Sequence, residues 1–239
     1  MGGEMQAIAS VPGRAAAESL ISWWQEAGVD VAVGEAPRGW LRQNQATTPT
    51  AAPVTNVAEP NPETLAELRD WLAISVQLPL ASATAKRIMP HGPENAAIML
   101  LSDAPALEDL ASGQPIGGEA WKLALKMMAA IGINADEAYS ASLSCIHAPG
   151  VRMTDRDRAE CAEIAIRHIK LARPERLILF GDGPSKALLR EPLARARGRV
   201  HRIEGVRAVA TFHPRWLLQR PSDKALAWRD LLLLMREGD

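Results

Sequence analysis

Three short runs that are apolar almost throughout, Ala96–Ser102 (AAIMLLS), Arg176–Phe180 (RLILF) and Ala208–Phe212 (AVATF), alternate along this chain with longer segments of helical spacing. A strand without a polar alternation has no wet face, so it belongs in a parallel sheet covered by helices on both sides. The segments between them fit that requirement. Glu63–Ile74 is helical, and Glu119–Ile131 marks its apolar positions with Trp121, Leu123, Leu125, Met127, Met128 and Ile131. Thr154–Leu171 reads as a helix with Thr154 as N-cap and Asp155 and Asp157 at its positive end. Ala138–Ser144 is a weakly patterned fourth strand, Pro184–Leu189 a short helix, and Ala225–Met235 the last helix. A parallel α/β sheet places its site at the carboxyl ends of the strands. Those ends are Asp103, Cys145, Gly181 and His213.

The alternation begins only near Glu63. Before it, Ala15–Ala27 carries Leu20, Ile21, Trp23, Trp24 and Ala27 at helical spacing, with Gly28 as its C-cap. Asn44–Pro62 is rich in Pro, Thr, Ala and Asn and reads as a linker. Three parts are therefore expected: a helical element over 1–43, a linker over 44–62 and the main domain over 63–239. With 47% hydrophobic and 23% charged residues the chain can bury a core. Its apolar runs fall far short of the roughly 20 residues that span a bilayer. Met1–Arg14 lacks a basic region followed by an apolar run, so no secretory leader is expected. Two cysteines make no disulfide framework, and a cytoplasmic protein is the expectation.

The net charge of −1 hides an asymmetry. Residues 146–220 hold 16 Lys+Arg against 8 Asp+Glu, a net of +8, while residues 1–145 hold 8 against 16, a net of −8. All but Lys170 and Lys186 of those 16 are arginine, the side chain suited to phosphate. Such a segment is either a solvated face or a surface that meets a polyanion.

Five pieces then stand in a telling order: LLSDAPALED, SGQPIGGEAWKLALKMMAAIG, CIHAPGVRMTDRDRAEC, RLILFGDGPSKALL, and AVATFHPRWLLQRPSDKALAWRDLL. Together they resemble the uracil-DNA glycosylase superfamily, most closely its iron–sulfur, thermostable-type family, over about residues 68–239. The resemblance implies an α/β fold in the form of a three-layer α/β/α sandwich with a mostly parallel central sheet. It also implies DNA as partner and a monomer, with no membrane association. Where the family reads Gly-Glu-Ala-Pro-Gly, this chain has Ser102-Asp103-Ala104-Pro105-Ala106, a carboxylate one methylene shorter. The Glu108-Asp109 pair that follows also looks like the family's. Ile116 replaces the phenylalanine that resembles a platform for the flipped base, and Ala141 falls where the base-reading asparagine is expected. Alanine can neither donate nor accept. Ser140 and Ser142 flank it and could serve after a one-residue slip. His213, in His-Pro-Arg-Trp-Leu-Leu, matches outright.

The family also holds a four-iron cluster on four cysteines. Cys145 and Cys161 fit the later pair, whereas the earlier pair would fall near Ser75 and Leu78. A cluster needs four thiolates or close substitutes, so no cofactor is expected. The two thiols are either a remnant packed as small apolar residues or an occasional disulfide.

The implied reaction is hydrolysis of the N-glycosidic bond of uracil or a related damaged base in DNA. His213 would donate to the negative charge on the leaving base. Asp103 would orient water and stabilise the cation-like sugar. Ala104, Pro105, Ile116, Ala141 and Ser142 would line the substrate. Arg215 and Arg220 would meet phosphates, Trp216 would face DNA, and Leu217 and Leu218 are the candidates for an apolar wedge. The alternative is an inactive relative that binds DNA or a repair partner, docking through Trp23 and Trp24. A third reading is a nucleotide-binding α/β protein. Gly181-Asp182-Gly183 resembles a phosphate loop only superficially: it lacks both the further glycine of G-x-G-x-x-G and the Gly-Lys-Ser/Thr of a P-loop, and it reads as a turn between strand and helix. His91, His147, His168 and His201 have no paired spacing and read as surface or packed residues.

Overall fold

The computed structural model describes residues 62–236 except 83 and 152, together with Glu18 and Ser22, which are helical and exposed. Apart from those two, the described residues lie in the second of two compact units, Ala58–Asp239. Of the helix expected over Ala15–Ala27 only Glu18 and Ser22 are described; Trp23, Trp24 and, Pro62 excepted, the linker expected over 44–62 lie outside the described residues.

Helix α1 (Leu65–Ile74) starts two residues later than its apolar spacing suggests because Thr64 caps it. The Thr64 hydroxyl accepts from the Glu67 N–H, and the Glu67 carboxylate accepts from the Thr64 N–H, so two otherwise unpaired donors are satisfied. A two-residue strand, β1 (Lys86–Arg87), leads to β2 (Ile98–Ser102), helices α2 (Leu107–Ser112) and α3 (Gly118–Ala130), and strands β3 (Ala138–Ser142) and β4 (Ile146–His147). The long helix α4 (Asp155–Ala172) is capped by Thr154, as its sequence indicates, and stops at Arg173 in the left-handed conformation. Beyond it come β5 (Arg176–Phe180), α5 (Asp182–Pro184) running into a wide helical turn at Ser185–Leu189, and α6 (Leu193–Ala196). The chain continues through β6 (Val200–Ile203), β7 (Val206–Thr211), α7 (Pro214–Gln219) and α8 (Lys224–Met235).

The central sheet has the order β3-β2-β5-β7-β6. The first four strands are mutually parallel, and β6 closes the edge antiparallel to β7. Every residue of β2 is buried, which is what its unbroken apolar run requires. Successive side chains point to opposite faces. Met99 and Leu101 therefore join a core with Leu68, Leu72 and Ile169 of α1 and α4. Ile98 and Leu100 join the other core with Met128 of α3 and Leu231 and Leu234 of α8. Burying each such Leu or Ile contributes roughly 1.5–3 kcal/mol. The result is an α/β/α sandwich, and its parallel strands bring Asp103, Gly181 and His213 to one end of the sheet; β3 stops at Ser142, two residues short of the expected Ser144, so Ser142 and not Cys145 stands there. Among the described residues, no helix is long and apolar enough to cross a membrane.

Candidate active site

His213 stands just past β7 and caps α7, with Pro214 as the first helical residue. Its Nδ1 accepts from the Arg215 backbone N–H at 3.0 Å. An accepting Nδ1 leaves the proton of the neutral ring on Nε2. Burial, with the Arg215 charge second, pushes the imidazole down to about 4, while Asp109 pulls the other way. His213 is thus neutral near pH 7 and offers one N–H. The Phe180 ring meets it edge-on at 5.8 Å between centroids.

Asp103 leaves the end of β2 and turns towards the β5–α5 turn. The residue as a whole retains exposed surface, but its carboxyl end is crowded by neighbouring atoms. That local enclosure raises its pKa above the ordinary 3.8. The Ala104 N–H, Arg158 and Lys186 oppose the rise, and Asp182 adds to it. The turn Gly181–Gly183 lies against both candidates. A Cβ built on Gly181 would stand 3.9 Å from His213 Cβ, and one built on Gly183 would overlap the Asp103 carboxyl group. Asp103 and His213 therefore flank the same three-residue turn.

Asp109, on α2, is marked in the sequence only by the resemblance of the Glu108-Asp109 pair, which assigns it no role. It is 1% exposed. Its Oδ2 accepts from the Ala106 N–H and its Oδ1 from the Gly117 N–H, each at 2.7 Å. Arg215 Nη2 donates to both oxygens at 2.9 Å, and Arg215 Nε donates to Glu108 Oε2 at 2.9 Å. One buried carboxylate thus ties together the loop after Asp103, the start of α3 and the helix that His213 caps. Only glycine fits at 117, since a Cβ there would overlap Ser112 Oγ and the Glu108 carbonyl. Arg215 accordingly departs from its expected role: its guanidinium is taken up by Glu108 and Asp109 rather than offered to phosphate.

The remaining site candidates divide by helix and strand geometry. Of the adjacent leucines on α7, Leu217 is 1% exposed and belongs to the core, whereas Leu218 is 42% exposed. Consecutive helical residues point about 100° apart, so only Leu218 is available as a wedge. The Trp216 ring stacks on Phe212, Arg220 lies 4.7 Å over it, and its indole N–H donates to Asp223. Ile116 and Ala141 are fully buried in the two opposite cores and present no surface to a base. The pairing Leu101↔Ala141 and Ser102↔Ser142 sets Ser142 at the end of β3, where its Oγ lies 3.1 Å from Ser102 Oγ. Ser140 is buried and bonded to the His91 carbonyl. Ala104 is exposed and Pro105 buried. The Pro105 carbonyl accepts from His147 Nδ1 at 2.7 Å, a contact that requires the proton on that nitrogen.

Cys145 and Cys161 are free, buried thiols. Burial, the largest influence on each, pushes them up to about 11 and about 12. With Leu72 and Leu78 they line a cavity of about 20 Å³. Two protonated thiols facing a leucine do not fit a four-iron cluster, which needs four thiolate-like donors. Among the described residues no group of three or more His, Cys, Asp and Glu could hold a metal ion.

Fold and site together define an α/β protein that carries a neutral, donating histidine and a partly enclosed carboxylate at the carboxyl end of a parallel sheet. Residues 89–232 match the uracil DNA glycosylase superfamily, and the chain belongs to that superfamily. It is 26% identical over 141 residues to the type-4 uracil-DNA glycosylase of Archaeoglobus fulgidus, an alignment covering 54% of this chain and 71% of that protein. To the type-4 uracil-DNA glycosylase of Thermotoga maritima it is 21% identical over 142 residues, covering 57% and 74%.

Proposed function

We propose that the protein is a DNA-repair glycosylase that hydrolyses the N-glycosidic bond of uracil or a related damaged base. The observation that carries this reading is His213, fixed as a neutral Nε2–H donor across the Gly181–Gly183 turn from Asp103. The target nucleotide must first leave the stack, which costs a few kcal/mol. Leu218, with the Trp216–Arg220 stack beside it, is the surface of α7 suited to hold the gap. As the C1′–N bond breaks, its electron pair stays on the base, and the Nε2–H of His213 meets the charge that develops on a base oxygen. The Asp103 carboxylate stabilises the cation-like sugar and orients a water, whose oxygen bonds to C1′ while its proton passes to the carboxylate or to solvent.

A strand-cleavage assay tests this directly, using oligonucleotides with uracil opposite G, uracil opposite A, and hypoxanthine. We expect an abasic site from at least one of them. Cleavage of none, by a folded protein that still binds duplex, would favour the inactive, DNA-binding alternative. The ionised form of Asp103 is the useful one, so kcat/KM should fall as the pH drops through its raised pKa. The acid limb is therefore expected above the ordinary carboxylate value of 3.8.

We read the protein as working without a cofactor. Purified, it should be colourless and free of stoichiometric iron; about four irons per chain by metal analysis would overturn this. The same reading makes it a cytoplasmic monomer with residues 63–239 as catalytic domain, 44–62 as linker, and the 1–43 element as a docking arm for a repair partner through Trp23 and Trp24.

A further inference from the structure

Gly183 is the middle residue of α5, and its backbone lies outside the left-handed region that favours glycine, unlike Gly181 with φ of 94°. Any L-residue could adopt its conformation, so the reason for glycine is steric. A Cβ built there would lie under 3.0 Å from three atoms: Asp103 Cγ, Oδ1 and Oδ2. All three belong to one carboxylate, and no backbone atom is among them. The space that the missing side chain leaves is filled by the Asp103 carboxyl group. The neighbouring Asp182 is turned elsewhere, accepting from the Leu193 N–H and pairing with Lys186.

We propose that Gly183 is a positioning residue for the reaction: its bare backbone is the seat against which the Asp103 carboxylate rests, and the Gly181–Gly183 turn sets that carboxylate relative to His213. This inference rests on Asp103 acting as proposed above. A side chain at 183 must evict the carboxylate. The carboxylate is the free end of a side chain and can rotate away, so the fold absorbs the change while the site does not. A displacement of about 1 Å is enough to cost on the order of 10²-fold in rate.

The test is Gly183→Ala in the full chain. The melt should stay cooperative and close to wild type, duplex affinity should be unchanged, and kcat should fall about 10²-fold. The acid limb of kcat/KM should move down towards the ordinary carboxylate value, because the carboxyl is released into water. In an Asp103→Asn background the same substitution should cost nothing further, since the group it displaces no longer acts. Wild-type kcat with an unmoved acid limb would overturn the proposal, as would a lost cooperative melt, which would place the strain in the backbone. A crystal structure of the variant gives an answer that does not depend on activity. If wild type cleaves no damaged base but the variant's carboxylate has moved, the function fails and the seat stands. If the carboxylate has not moved, the seat fails whatever the activity.

Discussion

Replacing His213 by alanine is expected to lower the single-turnover rate about 10²–10³-fold, the usual cost of removing one preorganised donor from a developing anion. The size follows from the state in which the ring is held. The Arg215 N–H occupies Nδ1, and burial keeps the ring neutral, so the Nε2–H stays on the ring and is offered without any reorganisation. The substitution also removes the cap of α7, which costs about 0.5–2 kcal/mol of stability. His213→Asn separates the two effects. Its side-chain oxygen can accept from the Arg215 N–H and keep the helix start, yet it places no donor where Nε2 stands. Single-turnover rates on a uracil-containing duplex should therefore fall alike for both variants, whereas only the alanine variant should melt lower. An alanine variant within threefold of the wild-type rate would remove His213 from the chemistry.

Asp109→Ala is expected to be the most destabilising single substitution near the site. It would leave the Arg215 guanidinium with only the exposed Glu108 carboxylate and the Ala106 and Gly117 N–H groups without an acceptor. Breaking a buried pair from one side typically costs about 3–5 kcal/mol, at about 2–4 °C of Tm per kcal/mol in a domain of this size. Both charges are well shielded, with side chains 28% and 1% exposed, so the figure for surface pairs does not apply. Activity should fall with stability, because the carboxylate anchors the loop that follows Asp103 and the helix that starts at His213. Asp109→Asn restores the volume but can satisfy only part of the set, since its amide nitrogen cannot accept from either backbone N–H. Urea unfolding of the two variants should rank them wild type, asparagine, alanine. An alanine variant with an unchanged midpoint would mean that the loop, the start of α3 and the start of α7 are held by something else.

Much of the architecture was legible before any coordinates. RLILF reads as a buried strand and is β5 with the same limits, because a strand covered on both faces must be apolar along its length. Thr154 announces the start of α4 because its hydroxyl and the Asp157 carboxylate lie three residues apart, and capping is a local interaction. The elements that escaped are short or half-exposed. Val200–Ile203 is an edge strand of mixed burial whose composition carries no alternation. Leu107–Ser112 and Pro214–Gln219 are single helical stretches too brief for a periodic signal.

The placement of Asp103 and His213 at one end of the sheet was legible as well, since each follows a strand of a parallel sheet and the ends of parallel strands share one edge. Residue order alone therefore determined the fold class, the sheet's mostly parallel sense and the end of the sheet that gathers the candidate residues. Which side chains are free to act there was decided only by the tertiary structure. Leu217 and Leu218 are indistinguishable until one packs into the core. Arg215 looks like a phosphate contact until Asp109, 106 residues earlier, is found beside it. Gly183 looks like a turn residue until the carboxylate of Asp103 is found in the place of its side chain. Caps and strand periodicity are written within a few neighbouring residues. Burial, charge pairing and steric room depend on groups that meet only when the sheet brings distant segments to one end.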